Sequence, residues 1–278
     1  MASAYVNGIR LFYQVSGDGD PPLVLVHGSW VSQDHWALVT PLLARSFRVV
    51  TYDRRGHSRS ERPPGQGSVH QDVADLAGLI EDLDLGQVWV AGNSFGGSIA
   101  LRLAAERPDL LGGVVAHEPP LFALLAGDPE LAPVLDQVAA RIGAVVQRIA
   151  TGDHAGAAEQ FVETVALGPG AWAQLPDQVR QTFITNAPTY ADECRDPDQL
   201  TLDLDRLGSF GGPVLLTMGD HSPPTFAPVV ATLAQALPHA QVVTLASAGH
   251  IPHVSHPDIY VQAVATYITS KQVIQAAG

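Results

Sequence analysis

The feature that most constrains the fold is a series of short apolar runs that alternate with longer helical patterns. After an initial hairpin signal at Asn7-Gly8, the runs are PPLVLVHG, FRVVTYD, QVWVAGN, LGGVVAHE, PVLLTMGD and QVVTLASAGH. Each is bounded by glycine, proline or polar residues, as is typical of a strand buried on both faces. Helical periodicity covers residues 69–84, 98–107, 227–237 and 258–270. The alternation predicts βαβ units, and therefore an α/β fold with a mostly parallel central sheet and helices on both faces.

One interval interrupts this alternation. Residues 119–212 contain no convincing strand, but they include Ala-rich helical stretches at 131–150 and 154–166. The interval is far longer than an ordinary connection between a strand and a helix. We expect it to form a helical cap inserted over the edge of the sheet where ligands bind. The flanking residues 1–118 and 213–278 would then form the two parts of one core.

Composition excludes several classes of protein. Of the 278 residues 46% are apolar, which allows a large buried core, and the net charge of −13 argues against nucleic acid or an anionic membrane as a partner. No apolar run is long enough to span a membrane, and the first residues alternate like a strand, so a cytoplasmic location is expected. A single cysteine, Cys194, excludes an internal disulfide and a cysteine-based zinc site. The histidines do not occur at the spacing of a metal-binding motif, so no metal site is expected. A homodimer is compatible with the sequence.

The motif that most clearly indicates chemistry is Gly92-Asn93-Ser94-Phe95-Gly96. It follows the apolar run QVWVA and opens a helical stretch, which is the strand–turn–helix context that gives Gly-x-Ser-x-Gly its meaning. Such a turn projects the serine hydroxyl above the sheet, beside a helix N-terminus that stabilises negative charge. The pattern therefore predicts that Ser94 is a nucleophile.

Together with His27-Gly28-Ser29-Trp30 and the later run TYDRRGHS, this motif resembles the α/β-hydrolase family over nearly the whole chain. The resemblance implies that backbone N–H groups of Ser29 and Phe95 form an oxyanion hole, with Gly28 or Trp30 as alternatives to Ser29. It also implies that the general base is a histidine just after the last strand, which is His250. His253 and His256 are nearby, but His256 lies where a helix begins.

The acid of the triad departs from the common family pattern. The usual carboxylate position, after the penultimate strand, is occupied here by Ser222, which cannot orient an imidazolium. Two substitutes remain, namely Asp220 in the same loop and Glu118 in His117-Glu118-Pro119-Pro120, and Glu118 is preferred. Zearalenone lactone hydrolases carry their acid in a similar His-Glu-x-Pro run, and their histidine lies in a stretch like Gly249-His250-Ile251-Pro252.

The resemblance implies a cofactor-free serine hydrolase without a metal, acting on small carboxylic esters or lactones of apolar character, such as a macrolactone. Gly28, Trp30 and Trp172 are expected to contact the substrate, and Phe161 and Phe183 are further candidates to line the pocket. Two alternatives stay open because one fold hosts many reactions. One is hydrolysis of a C–C bond, or a lyase step, by the same triad. The other is a binding protein without catalysis.

Overall fold

The sheet has the mostly parallel arrangement that the sequence predicts. The computed structural model describes residues 2–276, and the side chains of residues 2–273. Within that range the strands are β1 (Ala2–Val6), β2 (Ile9–Ser16), β3 (Pro22–Val26), β4 (Arg48–Tyr52), β5 (Val88–Asn93), β6 (Leu111–His117), β7 (Val214–Gly219) and β8 (Gln241–Leu245). They form one sheet in the order β1-β2-β4-β3-β5-β6-β7-β8. Only β1 and β2 pair antiparallel to their neighbours, so the predicted fold class is confirmed.

Helices connect these strands on both faces of the sheet. They are α1 (Thr40–Leu43), α2 (Val69–Asp82), α3 (Phe95–Glu106), α4 (Ala132–Ala150), α5 (His154–Phe161), α6 (Ala171–Gln174), α7 (Asp177–Arg195), α8 (Leu204–Gly208), α9 (Phe226–Ala236), α10 (Pro252–Ser255) and α11 (Pro257–Ala276). The stretch predicted as one helix over 154–166 divides into α5 and a π-helical turn, Val162–Ala166. The helix predicted from residue 98 begins at Phe95, because Ser94 already occupies the N-cap position.

Two apolar layers, one on each face of the sheet, form the core. One layer joins α2, α3 and α9 to side chains such as Val24 and Val90, and the other joins α1 and α11 to side chains such as Leu25 and Val115. Because successive side chains of a strand point to opposite faces, β3, β5 and β6 supply both layers and are buried along nearly their whole length. This explains why their sequences are continuous apolar runs.

Residues 119–212, all of which the structure describes, contain helices α4 to α8 and no strand. We call them the helical segment. It has an apolar cluster of its own that includes side chains from α4, α5 and α7, and Trp30 from the loop after β3 also belongs to this cluster. The segment leaves the sheet after β6 and returns to it at β7, which pair directly with each other.

The carboxyl ends of β3, β5 and β6 lie side by side, since these strands are parallel neighbours. In open α/β sheets this edge is where ligands bind. The loops that follow the three strands contain Ser29, Ser94 and Glu118, so the topology brings the candidate residues to one edge. No helix among residues 2–276 is both long and apolar enough to cross a membrane.

Candidate active site

Ser94 lies at a sharp turn between β5 and α3. Its backbone has φ 55° and ψ −125°, a conformation that L-residues rarely adopt. The turn is held by a hydrogen bond from the Ser94 N–H to the carbonyl of His117 (2.8 Å) and by one from the Gly97 N–H to the carbonyl of Ser94 (2.8 Å). Strain of this kind is characteristic of functional sites, and here it directs the hydroxyl away from the sheet.

Two glycines make this turn sterically possible. A Cβ atom on Gly92 would lie 2.1 Å from the carbonyl oxygen of Gly96, and one on Gly96 would lie 2.1 Å from the carbonyl oxygen of Val26. Any larger residue would push α3 away from β5 or β3. The small residues that flank Ser94 in the sequence motif are therefore required by backbone contact.

Glu118 and His250 form a direct hydrogen bond beside Ser94. His250 Nδ1 lies 2.7 Å from Glu118 Oε2, and the Gly219 N–H donates to Glu118 Oε1 at 2.7 Å. The Glu118 side chain is fully buried, whereas that of His250 is 20% exposed. Burial alone would raise the pKa of Glu118, but the hydrogen bond from His250 and the neighbouring His117 lower it below its ordinary value. Glu118 is therefore an ionised acceptor that holds the His250 ring in one orientation.

The alternative acid does not occupy this position. Asp220 is exposed, and the described side-chain hydrogen bonds of His250 do not include one to Asp220 or to Ser222. Asp220 follows β7 in the same loop as Ser222, but its carboxylate lies outside the buried space that Glu118 fills. Of the two candidates, the structure thus brings Glu118 to His250.

Three further contacts, two at His250 and one at Glu118, are features that the sequence analysis did not identify. Asn93 Nδ2 donates to the carbonyl of His250 (2.8 Å), and the Phe226 ring stacks on the imidazole with centroids 4.5 Å apart. His117 Nε2 lies 3.6 Å from Glu118 Oε2. Asn93 stands inside the Gly-x-Ser-x-Gly motif, so its position offered a signal, whereas Phe226 arrives from α9 through tertiary packing alone.

Ser94 and His250 open into the same cavity, which has a volume of about 370 Å³. That size is within the range of ordinary small-molecule sites. Ser29 lines the cavity together with mainly apolar side chains of the helical segment and of α9, including Val138, Ile142, Phe161, Leu200 and Phe226. Among the described residues, the Ser94 hydroxyl makes no hydrogen bond to His250. Catalytic hydrogen bonds are often long or poorly aligned when no ligand is bound.

The candidate oxyanion donors lie on either side of Ser94. Phe95 is the first residue of α3, so its N–H has no partner within the helix. Ser29 lines the cavity, whereas Gly28 packs behind it, and a Cβ atom on Gly28 would lie 3.2 Å from Ser94 Cβ. Ser29 shares the cavity with Ser94, and Phe95 follows Ser94 directly in the chain, so both remain candidate oxyanion donors.

Two tryptophans that were expected to contact the substrate lie elsewhere. Trp30 is fully buried, and its ring packs between Phe161 and Tyr190 with centroid distances of 4.8 and 4.6 Å. Trp172 packs edge-on against Phe183 and borders a shallow surface depression outside the cavity. Neither ring lines the cavity, because Trp30 belongs to the apolar cluster of the helical segment and Trp172 packs at the edge of that cluster. Phe161 does line the cavity, and Phe183 does not.

Within residues 2–273, one group of side chains could in principle bind a metal ion. It consists of His117, Glu118 and His250, whose potential ligand atoms lie within 4.8 Å of one another. Around a zinc ion each ligand atom is about 2 Å from the metal, which keeps neighbouring ligand atoms more than about 3 Å apart. Glu118 Oε2 and His250 Nδ1 are closer than that, at 2.7 Å. The donor set is therefore arranged for a hydrogen bond and does not fit an ion without movement.

Comparison with known proteins identifies relatives of this chain. Zearalenone hydrolase of Bionectria ochroleuca is 27% identical over 266 residues, which cover 93% of each chain. The 2-hydroxymuconate semialdehyde hydrolase of Pseudomonas sp. (strain CF600) is 43% identical over 107 residues, or 37% of each chain. The crystal structure of the enol-lactonase from Burkholderia xenovorans LB400 superposes with a TM-score of 0.79 at 25% identity, over 96% of this chain and 100% of its own. A family model, the alpha/beta hydrolase family, matches residues 23–263. This match runs from the first parallel strand into the last helix, and the chain therefore belongs to the alpha/beta hydrolase family.

Proposed function

We propose that this protein is a serine hydrolase that cleaves carboxylic esters or lactones of mainly apolar compounds. The observation that carries the proposal is the 2.7 Å hydrogen bond between Glu118 and His250, at a cavity that Ser94 shares. Support for a lactone comes from the likeness to zearalenone hydrolase over 93% of the chain. The apolar lining of the cavity favours an uncharged, hydrophobic substrate.

In this mechanism the Ser94 hydroxyl attacks the carbonyl carbon while His250 Nε2 removes its proton. The Glu118 carboxylate fixes the tautomer of His250 and stabilises the imidazolium that forms. Backbone N–H groups of Ser29 and Phe95 donate to the oxyanion of the tetrahedral intermediate. His250 then protonates the leaving alkoxide, which for a lactone remains attached to the acyl chain. Water, deprotonated by His250, releases the acid and regenerates Ser94.

The test is product analysis with two substrate sets, short p-nitrophenyl esters and resorcylic macrolactones. The wild-type protein is compared with Ser94→Ala and with Ser98→Ala, a matched change one turn further along α3. We expect Ser94→Ala to abolish turnover and Ser98→Ala to preserve it, because Ser98 is buried and lies outside the cavity. The preferred substrate set distinguishes a general esterase from a macrolactone hydrolase. Turnover that survives Ser94→Ala would contradict the mechanism.

A second candidate is hydrolysis of a C–C bond in a diketone, by the same serine and histidine. It is favoured by the 43% identity to 2-hydroxymuconate semialdehyde hydrolase, although that likeness covers 37% of the chain. Incubation with a ring-fission diketone would show this activity as loss of the substrate chromophore and release of two products.

A fluorophosphonate that fails to label Ser94 would instead indicate a binding protein whose serine is not activated.

A further inference from the structure

The peptide bond between Gly28 and Ser29 is held by two donors on its carbonyl oxygen. His27 Nδ1 lies 2.8 Å from this oxygen and Arg54 Nη1 lies 3.3 Å from it. His27 Nε2 accepts the backbone N–H of Arg54 at 3.0 Å, so the ring proton resides on Nδ1, which donates to the carbonyl. Burial, together with the adjacent Arg54, lowers the pKa of His27 well below its ordinary value and keeps the ring neutral.

Fixing this carbonyl also fixes the N–H of Ser29. In a trans peptide the C=O and N–H bonds of one unit point in opposite directions within one plane. The Gly28–Ser29 peptide bond is trans, because within the described residues the cis conformation occurs only at Asp20-Pro21. While the carbonyl points toward His27 and Arg54, the Ser29 N–H therefore points to the opposite side. That N–H is one of the two oxyanion donors in the proposed function.

Arg54 contacts the second donor residue as well. Its guanidinium carbon lies 4.5 Å from the centre of the Phe95 ring. The side chain is fully buried and is held by Asp72, through two 3.1 Å hydrogen bonds, and by Glu193 of α7, at 2.6 Å. Burial alone would lower the pKa of Arg54, but these two carboxylates raise it above the ordinary value, so the cation persists. One buried charge thus touches the peptide unit that carries the Ser29 N–H and the side chain of Phe95.

We propose that Arg54 is a positioning residue that orients and polarises the oxyanion hole. This role rests on the proposed function. A cation at the Gly28 carbonyl withdraws electron density through the peptide unit, which makes the Ser29 N–H a stronger donor as negative charge develops. Only a guanidinium offers separate N–H groups in fixed directions to Gly28, Asp72 and Glu193 at once, so lysine is not an equivalent replacement.

The test compares Arg54→Lys with Arg55→Lys. Arg55 is the adjacent residue, is also buried, and forms a two-pronged ion pair with Asp75 at 2.7 Å, but it does not contact the Gly28 carbonyl. Steady-state kinetics on a p-nitrophenyl ester give kcat and KM. A trifluoromethyl ketone, which forms a tetrahedral oxyanion adduct with the serine, gives affinity for a transition-state mimic. Thermal denaturation and circular dichroism report whether each variant is folded.

We expect Arg54→Lys to lower kcat by roughly 10- to 100-fold with KM changed less than about threefold, and to weaken the ketone in proportion. Arg55→Lys should lose a similar amount of thermal stability, yet keep kcat and ketone affinity within about threefold. A folded Arg54→Lys enzyme with the kcat of Arg55→Lys would overturn the role. A lower kcat with unchanged ketone affinity would also overturn the role. That result would show that the oxyanion hole is intact and that the defect is purely structural.

If Arg54→Lys does not fold, the triple variant Arg54→Gln, Asp72→Asn, Glu193→Gln replaces the whole charged cluster with amides, so that no buried charge is left unpaired. The same loss of kcat and ketone affinity is expected, and retention of both would overturn the role. If the wild-type protein shows no turnover that depends on Ser94, both the proposed function and this role of Arg54 are contradicted. Normal turnover in the wild type and in Arg54→Lys contradicts the role alone.

Discussion

At the scale of single residues, the position of the carboxylate decides how the histidine is held. Glu118 adopts a left-handed backbone conformation, φ +45°, directly after β6, and this conformation brings its carboxylate under His250. Both oxygens are used, one by the His250 ring and one by the Gly219 N–H. The last residue of β7 thus orients the Glu118 carboxylate, just before the loop in which the common family pattern places the acid.

Glu118→Gln is therefore expected to lower kcat by about four orders of magnitude on any substrate that depends on Ser94, because an amide stabilises the wrong tautomer of His250 and cannot balance the imidazolium charge. Asp220→Asn is the matched control, since this exposed carboxylate has no hydrogen bond to His250. Steady-state kinetics on a p-nitrophenyl ester measure both. A larger loss in Asp220→Asn than in Glu118→Gln would assign the acid to Asp220.

The residue positions that could be predicted from the sequence are those set by a local backbone motif. Ser94 follows from a strand–turn–helix pattern, and Glu118 from its place directly after the strand that follows α3. Trp30 and Trp172 were misplaced because the direction of a ring depends on distant partners. In Trp30 a positive φ of 69° turns the ring toward Phe161 and Tyr190, which are more than a hundred residues away in the chain.

At the scale of secondary-structure elements, the contact between β5 and α3 leaves no room for a side chain at Gly92. Gly92→Ala places a Cβ atom 2.1 Å from the carbonyl oxygen of Gly96, and the backbone cannot yield without separating the helix from the strand. We expect a loss of about 3 kcal/mol or more in the free energy of unfolding, at the upper end of overpacking costs. Urea denaturation followed by circular dichroism measures it.

Gly143→Ala is the control for that change. Gly143 lies inside α4, and nothing is within 4 Å of its added Cβ. Since alanine favours a helix interior by about 0.5–1 kcal/mol over glycine, this variant should gain stability by that amount. Equal effects of the two substitutions would show that steric contact does not govern Gly92.

One aromatic ring from the loop after β3 packs into the apolar cluster of the helical segment. Trp30 follows β3, yet it stacks among Phe161, Phe183 and Tyr190, which belong to α5 and α7. Trp30→Ala is expected to cost about 3–5 kcal/mol and to speed amide hydrogen exchange most strongly in these two helices. Hydrogen exchange measured by mass spectrometry locates the effect.

Trp172→Ala is the matched control, because this ring makes a peripheral, edge-on contact with Phe183 at a centroid distance of 6.5 Å. We expect a cost of about 1 kcal/mol, with exchange changed near α6 only. A uniform rise in exchange over the whole chain after Trp30→Ala would mean that the ring stabilises the fold generally and does not anchor the segment.

At the scale of the whole molecule, buried histidines make stability depend on pH. Burial lowers the pKa of five of them below the ordinary 6.5, to about 4 for His35 and His117 and well below 6.5 for His27, His57 and His253. Below pH 6.5 the unfolded chain binds protons at these sites and the folded protein does not. The free energy of unfolding therefore has its full value above pH 6.5 and decreases as the pH falls toward 4.

Each such histidine contributes up to about 1.4 kcal/mol per pH unit to this loss. The midpoint of urea denaturation is thus expected to fall steeply between pH 6.5 and pH 4, and to change little between pH 7 and pH 8. His117→Gln removes one of the five groups and should make the slope shallower. A midpoint that is constant from pH 6.5 to pH 4 would contradict the prediction.

The overall fold could be predicted because its signals are local and repeated. Continuous apolar runs mark β3 to β7, and Asn7-Gly8 marks the hairpin of β1 and β2, where both residues have positive φ. The internal arrangement of the helical segment could not be predicted in the same way. A long helix such as α4 follows from its periodicity, but the way these helices pack depends on distant contacts, and the π-helical turn at Val162–Ala166 lies against α4 and α6.

The placement of Glu118 has an evolutionary consequence. The proposed nucleophile, Ser94, and the proposed acid, Glu118, lie in and directly after one uninterrupted strand–helix–strand unit, β5–α3–β6, and of the three proposed catalytic residues His250 alone lies beyond the helical segment. Recombination that exchanges residues 119–212 for a foreign stretch would replace most of the wall around the substrate and leave the spacing between Ser94 and Glu118 untouched. Libraries of chimaeras joined just after Glu118 and just before β7 would therefore vary the wall of the cavity while keeping Ser94, Glu118 and His250, provided that the new stretch supplies a carboxylate in place of Glu193 to hold Arg54.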